Sequence, residues 1–356
     1  MSSITPATFA ALHPVHHLIF EELVASAPHS VLRLCSSTYE RIIPLLYVDI
    51  SPSPAVFEGL QSDAGEEWTL EALQNTRTLK ICDFTSLDTL YGLTGVEPHS
   101  HTIPSPSVPS DAIEAIPRYR HIYRNIFPNL ERLEFGFPVL RERVDAYINP
   151  HFPEEGRGPV DREKMLFRRI ERLLPSNLRE VVFHLDEEGE EYWNKARHFL
   201  HTLAPRDAVI MIRGKILNRA KTLAAGLGDL LPLSWDRAER LRVFVEPQGD
   251  WDSLDYTDKA KIHFSPMGIS VYQYASNLYD ELAERGWTSG SGQELPKSVP
   301  RVEIHLPERA RVLQWVVDDD VHRPLDTLLE EGILVLKELD MEVVEKLGVM
   351  EWAGVA

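Results

Sequence analysis

From about residue 75 onward, apolar and polar positions alternate in short runs. These are Leu79-Lys80-Ile81, Leu133-Glu134-Phe135, Val181-Val182-Phe183-His184-Leu185, Val209-Ile210-Met211, Leu241-Arg242-Val243-Phe244-Val245 and Val302-Glu303-Ile304-His305-Leu306. A period of two is that of a half-buried strand, so each run predicts one. Between them lie stripes at helical spacing: Leu166, Ile170, Leu173 and Leu174; Tyr192, Ala196, Phe199, Leu200 and Leu203; Val271, Ala275, Leu278 and Leu282. Strands alternating with helices predict an α/β fold with a mainly parallel sheet.

The strand chemistry separates two forms of that fold. A sheet covered on both faces has nearly continuous apolar strands. Here Lys80, Glu134, His184, Arg242, Glu303 and His305 occupy the alternate positions, which predicts helices on one side and a second face open to solvent. Those six residues are the candidate partner-binding surface. The runs at 209–212 and 243–245 are more apolar and count against an open face, so a plain α/β domain stays open as an alternative. An apolar-x-x-apolar-x-apolar frame fits Leu130/Leu133/Phe135, Leu178/Val181/Phe183, Ala238/Leu241/Val243 and Val299/Val302/Ile304. Two copies share a longer text, Phe127-Pro128-Asn129-Leu130-Glu131-Arg132-Leu133 and Leu174-Pro175-Ser176-Asn177-Leu178-Arg179-Glu180-Val181. Middle positions 79, 133, 181, 209, 241 and 302 are 54, 48, 28, 32 and 61 residues apart. A regular leucine-rich repeat takes about 20–29. The expectation is an irregular leucine-rich-repeat-like solenoid over residues 51–300, with residues 301–356 adding a C-terminal strand and helices that complete or cap it.

The N-terminal 50 residues read differently. Val15, Leu18, Ile19 and Leu23 share one helix face opening near Pro14. Pro28-His29-Ser30 breaks that helix, and Ser30 is placed to cap a second one carrying Val31, Leu34, Cys35, Ile42, Leu45 and Leu46, which Pro44 bends or ends. Two or three short helices bury little core alone and need a partner surface. Val96–Ser110, with four prolines, and Gly286–Pro300 read as loops. Near the C-terminus Leu325, Leu328, Leu329, Leu336, Leu339, Val343 and Leu347 predict one broken helix or two short ones.

Residues 12–47 resemble a divergent F-box. The text Leu12-His13-Pro14-Val15-His16-His17-Leu18-Ile19-Phe20-Glu21-Glu22-Leu23 is similar to the family's opening. Val31-Leu32-Arg33-Leu34-Cys35-Ser36-Ser37-Thr38-Tyr39 is similar to its second apolar helix, and Ile42-Ile43-Pro44-Leu45-Leu46-Tyr47 to the exit that precedes repeats in fungal relatives. The resemblance implies docking on the Skp-type adaptor of a cullin–RING ubiquitin ligase. Its contacting set would be Leu12, Pro14, Leu18, Ile19, Leu23, Leu32 and Leu34. The repeat region would then hold a protein substrate.

Charge narrows the partners. Thirty-seven basic against fifty-five acidic residues leave a formal charge of −18, which repels phosphate backbones, so no nucleic-acid partner is expected. No run approaches the roughly 18 apolar residues of a membrane span, and no basic start with an apolar core marks a secretory leader. The expectation is a protein of the cytoplasm or nucleus with no membrane partner. Two cysteines, Cys35 and Cys82, exclude a disulfide-built scaffold.

Motifs for chemistry are sparse. His99-x-His101 and the His13, His16, His17 cluster lack the further ligands that zinc needs, and no metal or cofactor is expected. Asp318-Asp319-Asp320 and Asp186-Glu187-Glu188 with Glu190-Glu191 read as solvated turns, although carboxylates beyond strand ends leave a hydrolase with an acidic pocket as one alternative. Gly286-Trp287-Thr288-Ser289-Gly290 is no nucleophile elbow, and neither Gly214-Lys215 nor Gly226-Leu227-Gly228 completes a phosphate loop. Arg118, Arg120 and Arg124, interleaved with Tyr119, His121 and Tyr123, read as a helix whose cations neutralise nearby acids. The reading is a non-enzymatic interaction protein with no catalytic residue. A capped scaffold without ligase association is the nearest alternative.

Overall fold

The computed structural model describes residues 22–23, 36–95, 119, 121–136, 168–176, 178–186, 200, 203, 205–213, 239–246, 253–289, 301–315 and 323–347. Eight strands form one sheet: β1 (Asp49–Ile50), β2 (Thr78–Ile81), β3 (Arg132–Phe135), β4 (Glu180–Asp186), β5 (Asp207–Arg213), β6 (Arg240–Val245), β7 (Arg301–Leu306) and β8 (Leu334–Glu338). They stand side by side in chain order, and every neighbouring pair is parallel. The fold is α/β with a single open sheet, and all six predicted strands are present as β2 to β7.

Each parallel step needs a long return, and the described returns supply the helices. After α1 (Ser36–Leu46) come α2 (Asp63–Leu73) and α3 (Phe84–Leu93), then α4 (Tyr256–Lys259) and α5 (Ser265–Glu284) joined by a π turn at Ala260–Phe264. The last three are α6 (Arg309–Leu313), α7 (Arg323–Glu330) and α8 (Met341–Lys346). Side-chain caps start several of these helices, α2 and α3 among them. Ser62 accepts from the Gly65 amide at 3.3 Å, and Asp83 accepts from the Ser86 amide at 2.8 Å. Pro44 does not end α1, which continues to Leu46; Leu45, expected on its apolar face, is exposed.

Strand alternation sends one set of side chains into a continuous core. Ile50, Leu79, Leu133, Val181, Ala208, Leu241, Val302 and Leu334 form one aligned row. Ile81, Phe135, Phe183, Ile210, Val243, Ile304 and Leu336 form the next. All are buried, with Phe135 and Phe183 stacked at 5.3 Å between centroids and 8° between planes. The returns pack against these rows: Leu60 and Leu73 before β2; Leu87, Leu90, Tyr123 and Phe127 before β3; Ile170, Leu173 and Leu174 before β4. Farther along come Leu200 before β5, Phe264, Met267, Val271 and Leu278 before β7, and Leu325 and Leu328 before β8. Every described return therefore lies on one side of the sheet. The two text copies do the same job: Phe127 and Leu130, then Leu174 and Leu178, enter the core just ahead of their strands. Asn129 donates back to the Gln74 carbonyl at 2.8 Å, tying one return to the previous one.

Three details depart from the sequence reading. The register aligns Val181 with Ala208, so Ala208, not Val209, is the equivalent position; Val209 and Met211 face the other way. The C-terminal stretch is not purely helical, because α7 ends at Glu330, just ahead of Gly332, and Leu336 belongs to β8. Gly332 has φ +68°, its amide reaches the Leu329 carbonyl at 3.1 Å, and the next amide, Ile333, reaches Leu328 at 3.0 Å. This left-handed termination turns the chain straight into the strand. Residues 121–130 are irregular, not the helix expected for the basic island; Tyr123 is buried and donates to Glu66 at 2.9 Å, and the His121 ring lies 3.6 Å from the same carboxyl group. Tyr119 is also withdrawn from solvent, which pushes its phenol pKa up. The 96–110 loop, the 187–191 and 318–320 acidic clusters and the histidines at 13, 16, 17, 99 and 101 lie outside the described residues.

Replacing Phe135 with Ala should cost about 3–5 kcal/mol, because the stacked Phe183 ring would face a cavity that a sheet cannot close. Urea unfolding followed by circular dichroism reads this directly, and a loss below about 1 kcal/mol would contradict the packing described.

Candidate functional site

The side chains that point away from the main core also align across strands. Row one runs Thr78, Arg132, Glu180, Asp207, Arg240, Arg301. Row two runs Lys80, Glu134, Val182, Val209, Arg242, Glu303, Val335, and row three His184, Met211, Phe244, His305, Lys337. All six predicted surface residues fall in rows two and three, on the side opposite the described returns. Adjacent strands are about 4.8 Å apart, so neighbours within a row touch.

Charged side chains in these rows pair with one another. Arg132 Nε lies 2.7 Å from Glu134 Oε1, and its Nη1 lies 3.4 Å from Glu180 Oε2. The other Glu180 oxygen accepts from Arg242 Nη2, so one carboxylate bridges two guanidiniums on two strands. Asp207 takes two bonds from Arg240, at 3.1 and 3.3 Å. Glu303 accepts from Lys337 Nζ at 2.7 Å, with Arg301 at 3.8 Å, and Lys80 lies 3.8 Å from Asp49. Removing a charge from water is tolerated only when it is paired, and these pairings meet that condition.

The face is nevertheless not the solvent-open surface expected. Glu134, His184, Glu303 and His305 are 2–8% exposed, while Lys80 and Arg242 are half-buried. The reason is an apolar centre. Val182, Val209, Met211 and Phe244 form a second buried cluster on this side, and α8 packs over it through Val344 and Leu347, flanked by Leu339 and Val343. Arg132 Nη2 donates to the Leu347 carbonyl, fixing the end of that helix to row one.

Two histidines lie in this setting. His184 Nε2 is 3.7 Å from Glu134 Oε2; His305 Nε2 is 3.8 Å from Glu303 Oε2, and its ring stacks on Phe244 at 4.2 Å. None of their four ring nitrogens has a hydrogen-bond partner. Burial, followed by the Lys337 cation, holds the His305 pKa below its ordinary value against the pull of Glu303. Burial pushes the Glu303 carboxyl up, but the Lys337 bond and the Arg240 and Arg301 charges outweigh it, so its pKa is lowered. A carboxylate held ionised is a poor general acid. Among the described residues no group of three or more His, Cys, Asp or Glu could hold a metal ion, and no helix is long and apolar enough to cross a membrane.

Of the adaptor-binding set, Leu23 is helical and exposed, while Leu12, Pro14, Leu18, Ile19, Leu32 and Leu34 lie outside the described residues. Cys82 is a half-buried free thiol 3.6 Å from Ser51 Oγ, and burial pushes its pKa up. The sequence reading missed the row-one residues Arg132, Glu180, Asp207 and Arg240, as well as Lys337. The available signal was a charged residue at the first position of successive strands.

A family model described as protein of unknown function (DUF3760) matches residues 9–51, ending just past β1. No curated protein and no solved structure matches the chain.

Both shifted groups give the same sign of pH dependence. The unfolded chain protonates His305 near 6.5 while the folded chain resists, so stability falls as pH drops through that value. Glu303 contributes stability above its unfolded value of 4.5, and loses it as pH falls further toward its folded value. Urea midpoints measured between pH 7.5 and 4 should decline, and His305→Gln should flatten the upper part of the curve. A wild-type midpoint constant from pH 7.5 to 5 would refute the assignment.

Proposed function

We propose that this chain is a non-enzymatic interaction protein: an F-box-like N-terminal segment followed by an irregular leucine-rich-repeat-like solenoid, acting as a substrate receptor of a Skp–cullin–F-box ubiquitin ligase. The observation that carries the reading is the sequential all-parallel sheet, with its described returns on one side and aligned charged rows on the other. A repeat stack with a strand-lined recognition face has that arrangement. Equivalent positions from Ile50 to Leu334 follow each other at 29, 54, 48, 27, 33, 61 and 32 residues. Four of these intervals are near the length of one repeat, and three carry insertions.

The N-terminal half of the reading rests on the F-box-like text of residues 12–47. The family model that matches residues 9–51 carries no function and is neutral. Leu23 and Leu45 expose apolar side chains on the N-terminal helices, as a partner groove would require. Docking there would leave the sheet's second face to hold the protein substrate, in a role belonging to the cytoplasm or nucleus. No nucleic acid, membrane or cofactor takes part in this scheme.

The test is a titration of the full-length protein with the Skp-type adaptor of its own organism, beside a Leu18→Asp/Ile19→Asp variant checked by circular dichroism. The wild type should bind, and the folded variant should lose at least about tenfold in affinity, because buried apolar anchors dominate such interfaces. No binding by the wild type would leave a scaffold whose N-terminal helices only cap its core.

A further inference from the structure

The second face already holds a ligand-like element. Helix α8 follows β8 through Leu339, whose amide makes a last ladder bond to the Leu306 carbonyl at 2.9 Å. Asp340 then caps the helix, its carbonyl accepting from the Val343 and Val344 amides at 3.1 Å and its side chain from the Glu342 amide at 2.9 Å. Val344 and Leu347 are buried side chains of this segment, and both rest on the apolar centre made by Val182, Val209, Met211 and Phe244. Met341 and Glu342 face outward. Beneath and beside it sit the His184 and His305 rings, whose nitrogens make no hydrogen bond.

The rim around that centre has a definite sign. In the ion pairs between β5 and β8 that involve Asp207 and Glu303, the carboxylates are buried and the cations protrude. Arg301 and Lys337 are 57% and 44% exposed against 6% for Glu303, and Arg240 is 40% exposed against 12% for Asp207. This basic rim stands on a chain of net charge −18. The segment lying on it is itself acidic, with Asp340, Glu342 and Glu345 against Lys346. The apolar pattern at 343, 344 and 347 together with acidic flanks describes the chemistry that the face accepts.

We propose that the second face is a groove for an acidic amphipathic helix of a partner protein, and that α8 is the chain's own version of that helix, which the partner displaces. The inference rests on the reading of this face as a partner surface. Because α8 is tethered beside its seat, it competes at high effective concentration and keeps partner affinity low until it leaves.

A fluorescein-labelled peptide of residues 337–349 serves as the probe, titrated into the full-length wild type and into full-length Val344→Ser/Leu347→Ser. The variant should bind it at least about tenfold more tightly than the wild type, with affinity falling as salt rises. A scrambled peptide of the same composition should not bind. Amide exchange of the wild type gives an independent reading: α8 should exchange faster than β4, β5 and β6, through local opening.

Equal or absent peptide binding by a variant with wild-type circular dichroism would overturn the proposal. So would α8 amides that exchange only with the strands, a result that decides the matter even if the variant fails to fold. Dimers exchanging α8 between copies, seen as a concentration-dependent mass, would also overturn it. Peptide binding without adaptor binding would keep the groove and sink the ligase, and the converse would do the reverse.

Discussion

The rest of the structure depends on one constraint: neighbouring strands pair in parallel and in chain order. A parallel neighbour is out of reach of a tight turn, so every step demands a long return, and returns of one hand over sequential strands land on one side. That geometry makes the core from Ile50 to Leu336 a single thick layer fed by every described return. Among the described residues it leaves the opposite side without a helix before β8. Of the described helices, α8, after β8, is the one that packs on the second face.

The second face resolves a conflict that its own composition creates. Rows of arginine and glutamate cannot be buried singly, yet Val182, Val209, Met211 and Phe244 cannot be left wet. Charges lie at the edges and along row one, where Glu180 bridges Arg132 and Arg242, while the apolar residues gather at the centre under α8. The histidines sit at the boundary, buried enough that His305 resists protonation.

Much of this was legible because parallel strands obey a period of two. The alternation in Leu79-Lys80-Ile81 or Val302-Glu303-Ile304-His305-Leu306 identifies both the strand and its faces without tertiary knowledge. It fails at Val209-Ile210-Met211, where both faces are apolar and only the register with Val181 shows that Ala208 is the core position. It fails again at Leu336, whose spacing from Leu325 and Leu328 suits a helix; Gly332 was the unread stop signal, and the β-rich text Ile333-Leu334-Val335-Leu336 follows it. Covering of Val182 and Val209 was out of reach, since it depends on a helix more than 130 residues away in the chain. The exposed Leu23 is the one adaptor candidate with a described environment.

The Arg132 to Leu347 bond joins residues 215 positions apart, in a sheet where strands otherwise pair only with their neighbours in sequence. A row of nearest-neighbour contacts unfolds piecemeal, because nothing obliges one end to wait for the other. A clasp from beyond β8 back to β3, resting on β4, β5 and β6 along the way, changes that statistics. It gives the strands from β3 to β8 a second connection beyond their nearest neighbours while the helix is seated.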